Sequence, residues 1–372
     1  MISRLAGTQD FIDLSLFNYI VAQCKKHLET YHFSEIAVPV IESTELYRRT
    51  LKSRLEVICT EITAMATTAE IQKESICLRP EATPSIIRAF IENGITTIPW
   101  KIYTSGPIFR REGGLCHQFH EIHVEIIGTT SSSYDVRLIT MFDRFFSQTL
   151  SIKNYALRLN FLGCSADQTE YKKAPCSPDN LCSTCANEWA QIQDQLDLLS
   201  VTYSSDPSLV PHFDYFNKTI FEFSSAQQGA PDSFCSGGHS DQLLDKLGGK
   251  NLQSVGAALS TEYLMTLLEP LRETLPLPQA PSLTVIMPLS PEQQMLALLI
   301  ADNLLAQGLC VDLFLEKDSL TNMMRRANKM GASYCLLVGQ EEQQARIVTI
   351  KNMITGAEDK IEQIDIYAYL TR

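Results

Sequence analysis

Apolar residues at helical spacing open the chain. Phe17, Ile20, Val21, Cys24 and Leu28 recur on one face between Leu14 and Tyr31, leaving Lys25, Lys26 and Glu29 for the other, which predicts an amphipathic helix. The next segment, Ser34 to Glu42, reads as a strand interrupted by Pro39, whose missing N–H belongs at an edge or an interface. Further strands are predicted at Ser75 to Leu78, Lys101 to Phe109, Glu121 to Ile127, Leu157 to Phe161, Thr219 to Ser224 and Ser233 to Ser236. Strands outnumber helices here and do not alternate with them, so the expected layer is an antiparallel sheet with helices packed on it.

The pattern changes after Glu269. Residues 270–282 hold four prolines and few large apolar side chains, as a linker does. Beyond it, strand Leu283 to Leu289, helix Pro291 to Gln307, strand Cys310 to Leu315, helix Ser319 to Met330, strand Tyr334 to Gly339 and strand Ala345 to Lys351 follow one another. The predicted organisation is a core over residues 1–269, the linker, and an α/β domain over 283–372. Residues 163–211, polar and weakly periodic, read as an irregular insertion into the core.

With 372 residues, 45% hydrophobic and 20% charged, the chain has apolar surface enough for more than one core. Its net charge of -12 excludes a generally basic nucleic-acid coat, so any nucleic-acid partner must meet a local basic patch. No run approaches a membrane span and the first residues lack the order of a signal peptide, which predicts a cytoplasmic protein with no membrane contact. Eleven cysteines, most of them isolated, fit buried thiols in a reducing compartment better than a disulfide framework.

The segment SGPIFRREGGLCHQFHEIHVEIIG, Ser105 to Gly128, predicts a hairpin whose alternate residues share one cleft. A guanidinium there can grip a phosphate and a carboxylate can accept a base amino group. Upstream, LRPEATPSIIRAF puts Glu81 and Thr83 at a strand-to-helix turn.

In order, GTQD (Gly7 to Asp10), EIAVPVIESTELYRR (Glu35 to Arg49), LRPEAT, GPIFRRE, FDYFNKTIFEF (Phe213 to Phe223), CSGGHSDQLLDKLGG (Cys235 to Gly249) and SVGAALSTEYLMTLL (Ser254 to Leu268) resemble the landmarks of histidyl-tRNA synthetases, class II aminoacyl-tRNA synthetases. The last domain, with DSLTNMMRRANKMGASYCLLVGQEE and IVTIKNMITG, is similar to their anticodon-binding domain. The resemblance implies an α+β fold, a class II antiparallel-sheet core with a C-terminal α/β anticodon-binding domain. It also implies a homodimer formed around Pro39, ATP and Mg²⁺ as cofactors, and histidine and tRNA(His) as substrates. By the same match Arg110 is the catalytic residue on the α-phosphate of ATP, and Glu112 faces the adenine amino group. Glu81 and Thr83 receive the histidine α-amino group, and Glu125 and Tyr215 line the amino-acid pocket. Glu121 and Phe216 stand there in place of the family's glutamine and second tyrosine.

Three family arginines are replaced here, by Pro211, by His239 and by Tyr263, and the loop after Glu112 is shorter, with His117 nearest to its arginine. Adenylate formation spreads negative charge that fixed cations must meet. Two readings follow. One is a divergent ligase using Arg110, Mg²⁺ and a nearby cation such as Lys218. The other is a non-charging paralogue like the ATP phosphoribosyltransferase regulatory subunit, whose partner is the catalytic subunit of that enzyme. Arg325, Arg326 and Lys329 on one predicted helix form a phosphate-facing patch for tRNA and favour the first.

Cys182 and Cys185 form a C-x₂-C pair, with Cys176 and Cys164 upstream, and four thiolates so spaced can hold a structural Zn²⁺. His117, His120 and His123 invite a second metal reading. Strand alternation argues against it, because His120 then faces away from the other two.

Overall fold

The computed structural model describes residues 2–62, 75–164, 166–167, 181–225, 233–278, 280–316 and 318–371. Two compact units are present, Met1–Leu277 and Pro278–Arg372.

The first unit is built on an eight-stranded sheet. In chain order its elements are α1 (Ser15–Thr30), β1 (Ser34–Glu35), β2 (Ile41–Ser43), α2 (Thr44–Leu51), β3 (Thr60–Ile62), β4 (Ile76–Leu78), α3 (Thr83–Glu92), β5 (Trp100–Glu112), β6 (Leu115–Thr129), α4 (Ser133–Arg144), β7 (Tyr155–Phe161), α5 (Ser183–Leu198), β8 (Ser204–Ser205), β9 (Asn217–Ser225), β10 (Ser233–Ser240), β11 (Gln253–Ser260) and α6 (Thr261–Leu268). The sheet order is β1-β5-β6-β11-β10-β9-β7-β8, antiparallel from β5 to β7 with a parallel strand at each edge, so the expected antiparallel layer is present. β2, β4 and β3 form a separate small antiparallel sheet.

The strand expected over Ser34 to Glu42 is two strands in two different sheets, because the chain is irregular across Pro39. The hairpin β5–β6 closes through Gly113 and Gly114, at φ +56° and +84°, the two-residue geometry that matches strand twist and favours glycine. Along β6 the even residues Ile122, Val124 and Ile126 enter the core beneath α1, where Leu16, Tyr19, Ile20, Cys24 and Leu28 meet them. The odd residues take the opposite face, where the cleft lies.

The region 163–211 is not irregular throughout. α5 occupies sixteen residues of it and buries Cys185, Trp189, Ile192 and Leu196 in the main core. This stripe has ordinary helical spacing, hidden in the sequence by the polar residues between its members.

The second unit has a five-stranded sheet, β13-β12-β14-β15-β16, from β12 (Leu283–Pro288), β13 (Cys310–Leu313), β14 (Tyr334–Val338), β15 (Ile347–Asn352) and β16 (Glu358–Glu362). Its central strands are parallel and β15 and β16 run antiparallel. Helix α7 (Gln294–Ala306) packs Ala297, Ile300, Ala301 and Leu304 against one cluster, and α8 (Leu320–Lys329) puts Met323 and Ala327 into another. Among the described residues no helix is long and apolar enough to cross a membrane.

Candidate functional site

A cleft of about 700 Å³ opens over the β5–β6 hairpin, β10 and β11. Its lining includes Glu81, Thr83, Arg110, Glu112, Glu121, Tyr215 and Phe216, seven of the eight residues that the resemblance implies for ATP and histidine. The eighth, Glu125, is buried beside them and accepts a hydrogen bond from the Thr83 hydroxyl at 2.7 Å.

Alternation on β6 gathers the acids. Glu121 pairs across the ladder with Gly106, His123 with Thr104 and Glu125 with Ile102. From the other side Glu125 faces Gly256 of β11, where an added Cβ would sit 2.2 Å from the carboxyl group, so this glycine makes the room for it.

Two carboxyls are held near neutrality. Glu81 lies at the turn before α3, with its carbonyl oxygen bonded by the Tyr47 hydroxyl. Burial raises the pKa of its side chain to about 8, although the Tyr215 hydroxyl donates to Oε2 at 2.6 Å. Burial also raises Glu125, to about 7. The other oxygen of Glu81, Oε1, is buried with no hydrogen-bond partner. A buried carboxylate oxygen left this way carries a desolvation cost that a cationic ligand group would offset.

Glu121 is the opposite case. Burial would raise it, but Arg110 and His123 outweigh burial and hold it at about 2. Its Oε2 accepts from Arg110 Nη2 at 3.2 Å and lies 2.8 Å from His123 Nε2. Arg110 is fixed further by Nε donating to the Pro80 carbonyl at 2.9 Å, and its guanidinium lies 5.0 Å from the centre of the Phe119 ring and 5.9 Å from that of Phe213. The planar fork is thus set in place before any ligand arrives, the condition for electrostatic catalysis.

The three positions at which the resemblance implies an arginine have different fates. Tyr263 lines the cleft and is exposed. Pro211 stands outside it, while its neighbour His212 reaches it. His239 is wholly buried, 2.8 Å from Asp135 and 2.9 Å from Asp241, and does not line the cleft. It cannot serve as a substitute cation for phosphate. Nor does Lys218, whose ammonium lies 3.2 Å from Glu188 and 3.8 Å from Asp241. Among the described residues the arginines of the cleft wall are Arg110 and Arg54. Arg54 sits on a single 3-10 turn without periodicity, so nothing in the sequence marked it. His123, whose spacing in the sequence suggests only a metal ligand, forms part of the cleft floor.

His239 has a separate consequence. Burial would lower its pKa, but the two aspartates raise it from 6.5 to about 9. A raised histidine stabilises the fold fully below its unfolded value, and that contribution is lost as pH rises through the folded one. H239A is therefore expected to cost about 3–5 kcal/mol at pH 6, as breaking a buried ion pair does. Denaturant melts across pH check this: the gap between wild type and variant should narrow as pH rises from 6.5 to about 9.

His120 faces away from His117 and His123, as alternation requires. Its backbone N–H donates to Glu262, its ring Nδ1 is 2.9 Å from the same carboxylate, and it packs edge-on against Phe17. In the second unit Arg325, Arg326 and Lys329 are all exposed on α8. Arg326 pairs with Glu316 at 3.2 Å and stacks 4.2 Å from the centre of the Phe314 ring. Of the four expected metal ligands, Cys164, Cys182 and Cys185 come together, joined by Asp167, and Cys176 lies outside the described residues.

Comparison with known proteins adds to this geometry. Residues 284–372 match the family model "Anticodon binding domain". Over 99% of its length the chain is 30% identical to the histidine–tRNA ligase of Solidesulfovibrio magneticus, 97% of which is covered. Over 98% of its length it is 29% identical to that of Thermosipho melanesiensis, again covering 97% of the relative. Among solved structures, apo histidyl-tRNA synthetase from S. aureus superposes with a TM-score of 0.79 at 28% identity, covering 99% of both chains. The Bacillus halodurans protein described as an ATP phosphoribosyltransferase regulatory subunit/histidyl-tRNA synthetase shares the fold at a TM-score of 0.67 and 16% identity, covering 88% of this chain and 96% of its own.

Proposed function

The chain belongs to the histidine–tRNA ligase family, and from that premise we propose that its cleft activates histidine with ATP and passes it to tRNA(His). The observation that carries this reading is the unpartnered, buried Oε1 of Glu81 on the cleft wall, the acceptor an α-ammonium group needs. Thr83 and Tyr215 orient the acids around it, and Glu125 stands ready for the imidazole. Bound this way, histidine turns its carboxylate toward Arg110. That carboxylate attacks the α-phosphorus of ATP in line, the bond to the β-phosphate oxygen breaks, and pyrophosphate leaves. Arg110 takes up charge on the α-phosphate, and exposed Arg54 is the second cation available to the departing phosphates. Glu112 accepts from the adenine amino group.

Magnesium would be held by hard oxygen donors of the cleft wall, such as the Glu262 carboxylate. When bound it supplies neutralising charge to the phosphates. The protein is proposed to work as a homodimer through the segment around Pro39, in the cytoplasm, where its ten described cysteines, all free, suit a reducing environment.

Charging of tRNA(His) with labelled histidine tests the proposal: ATP-dependent incorporation supports it, and none from folded protein overturns it. A second reading, a histidine-binding paralogue that assembles with an ATP phosphoribosyltransferase catalytic subunit, is favoured by one observation, the burial of His239 away from the cleft.

For α8, Arg325, Arg326 and Lys329 are assigned to tRNA phosphates. R325A and K329A are each expected to weaken tRNA binding and to reduce its salt slope by about one. Filter binding across salt concentrations checks this, and unchanged slopes would make the patch a solvated helix face.

A further inference from the structure

Cys164, Asp167, Cys182 and Cys185 form a second cluster, unrelated to the cleft chemistry. The thiols of Cys164, Cys182 and Cys185 and the carboxylate of Asp167 present ligand atoms all within 4.8 Å of one another. In a tetrahedral zinc site with bonds of 2.0–2.3 Å, ligand atoms stand about 3.5–3.8 Å apart, so small side-chain rotations close the set. We propose that these four residues bind one structural Zn²⁺ through three thiolates and the Asp167 carboxylate.

The spacing supports this better than the thiols alone did. Cys164 and Asp167 are separated by two residues, as are Cys182 and Cys185, giving two matched knuckles where the cysteines by themselves left Cys164 without a partner at that spacing. Asp167 is built into the arrangement. Its Oδ2 accepts the N–H of Cys164 and its Oδ1 that of Cys182, both at 3.0 Å, so one carboxylate ties the two knuckles together. Gly163 permits the approach. At φ +71° an added Cβ would meet Asp167 Oδ2 at 2.5 Å.

The surroundings suit thiolates and a tight ion. Cys182 caps the N-terminal end of α5 and Cys185 lies in its first turn, where the helix dipole favours negative charge. Cys185 and Asp167 are buried while Cys182 is exposed, leaving a path of entry. Binding displaces three thiol protons to solvent and leaves a centre of net charge -2, with no oxidation step. The ion would anchor the start of α5, and with it Trp189, Ile192 and Leu196 in the core, to the end of β7.

The test uses the full chain, purified without chelator and analysed for metal, then loaded with Co²⁺ as a spectroscopic probe. One zinc per chain and a thiolate-to-cobalt charge-transfer band are expected. C182S, chosen because that side chain is exposed, and D167A should each weaken zinc binding by about tenfold or more, measured against a chromophoric chelator, whereas C176S should bind as wild type does. Substoichiometric zinc after reloading, or absence of the cobalt band in folded protein, would overturn the proposal. Loss of metal in C176S with retention in D167A would overturn the ligand set.

Discussion

Replacing Arg110 by alanine lowers the single-turnover rate of histidyl-adenylate formation by about 10²–10³-fold, the usual loss when one preorganised donor to a developing anion is removed. Among the described residues the other arginine of the wall is exposed Arg54, and the cations behind the wall are already paired. His239 is spent on Asp135 and Asp241, Lys218 on Glu188 and Asp241, and the position of Tyr263 carries no charge. The burden on Arg110 is correspondingly greater than in a site with several arginines. R110K restores little, because an ammonium cannot reproduce a planar fork that donates to Pro80 and Glu121 while lying beside Phe119. Quenched-flow measurement of adenylate with saturating ATP and histidine checks both variants. A rate for R110A within about threefold of wild type would contradict the assignment, since a removed donor costs far more.

The second large effect is on histidine itself. Glu81→Gln is expected to weaken histidine binding by about 10²–10³-fold, the consequence of leaving a buried ammonium without its anion. The pH dependence separates this from a loss of shape. In the empty cleft burial raises Glu81 to about 8 and Glu125 to about 7, so at neutral pH Glu81 is largely protonated and Glu125 about half. An arriving ammonium favours the ionised form, so binding releases protons and the affinity of wild type rises with pH up to about 8. In E81Q that rise should flatten, leaving only the part due to Glu125. Calorimetry in buffers of different ionisation enthalpy measures the released protons directly. A pH-independent affinity for wild type between pH 6 and 8 would contradict the role of Glu81.

The same groups have a cost in the empty protein. A carboxyl raised on folding contributes most stability below its unfolded value and loses that contribution as pH climbs through the folded one. For Glu81 the window runs from 4.5 to about 8, so the unliganded cleft becomes a growing liability as pH rises and histidine should relieve it.

Much of the cleft floor was legible because strand alternation is a strict rule. Once Glu121 was placed on β6, the faces of His117, His120, His123 and Glu125 followed. The Gly-Gly turn fixed where the hairpin closes. What stayed hidden depends on non-local partners. The resemblance implies an arginine at His239, yet a buried imidazole between two aspartates is satisfied where it stands; the acid that meets its Nδ1, Asp135, lies more than a hundred residues earlier. Arg54 reaches the cleft from a turn with no periodic signature. Asp167 carries no sulfur to mark it in the sequence, and its place beside the thiols of Cys164, Cys182 and Cys185 depends on the folded chain. Pro39 looks in the sequence like an interruption within one strand, but the chain on its two sides joins different sheets, a choice set by tertiary pairing.

Histidine-dependent exchange of labelled pyrophosphate into ATP, measured on the full-length protein, tests most directly whether this cleft is an active ligase site. Exchange with histidine, and none with other amino acids, is the predicted result. Folded protein that binds histidine by calorimetry yet catalyses no exchange would contradict it and leave a histidine-binding paralogue.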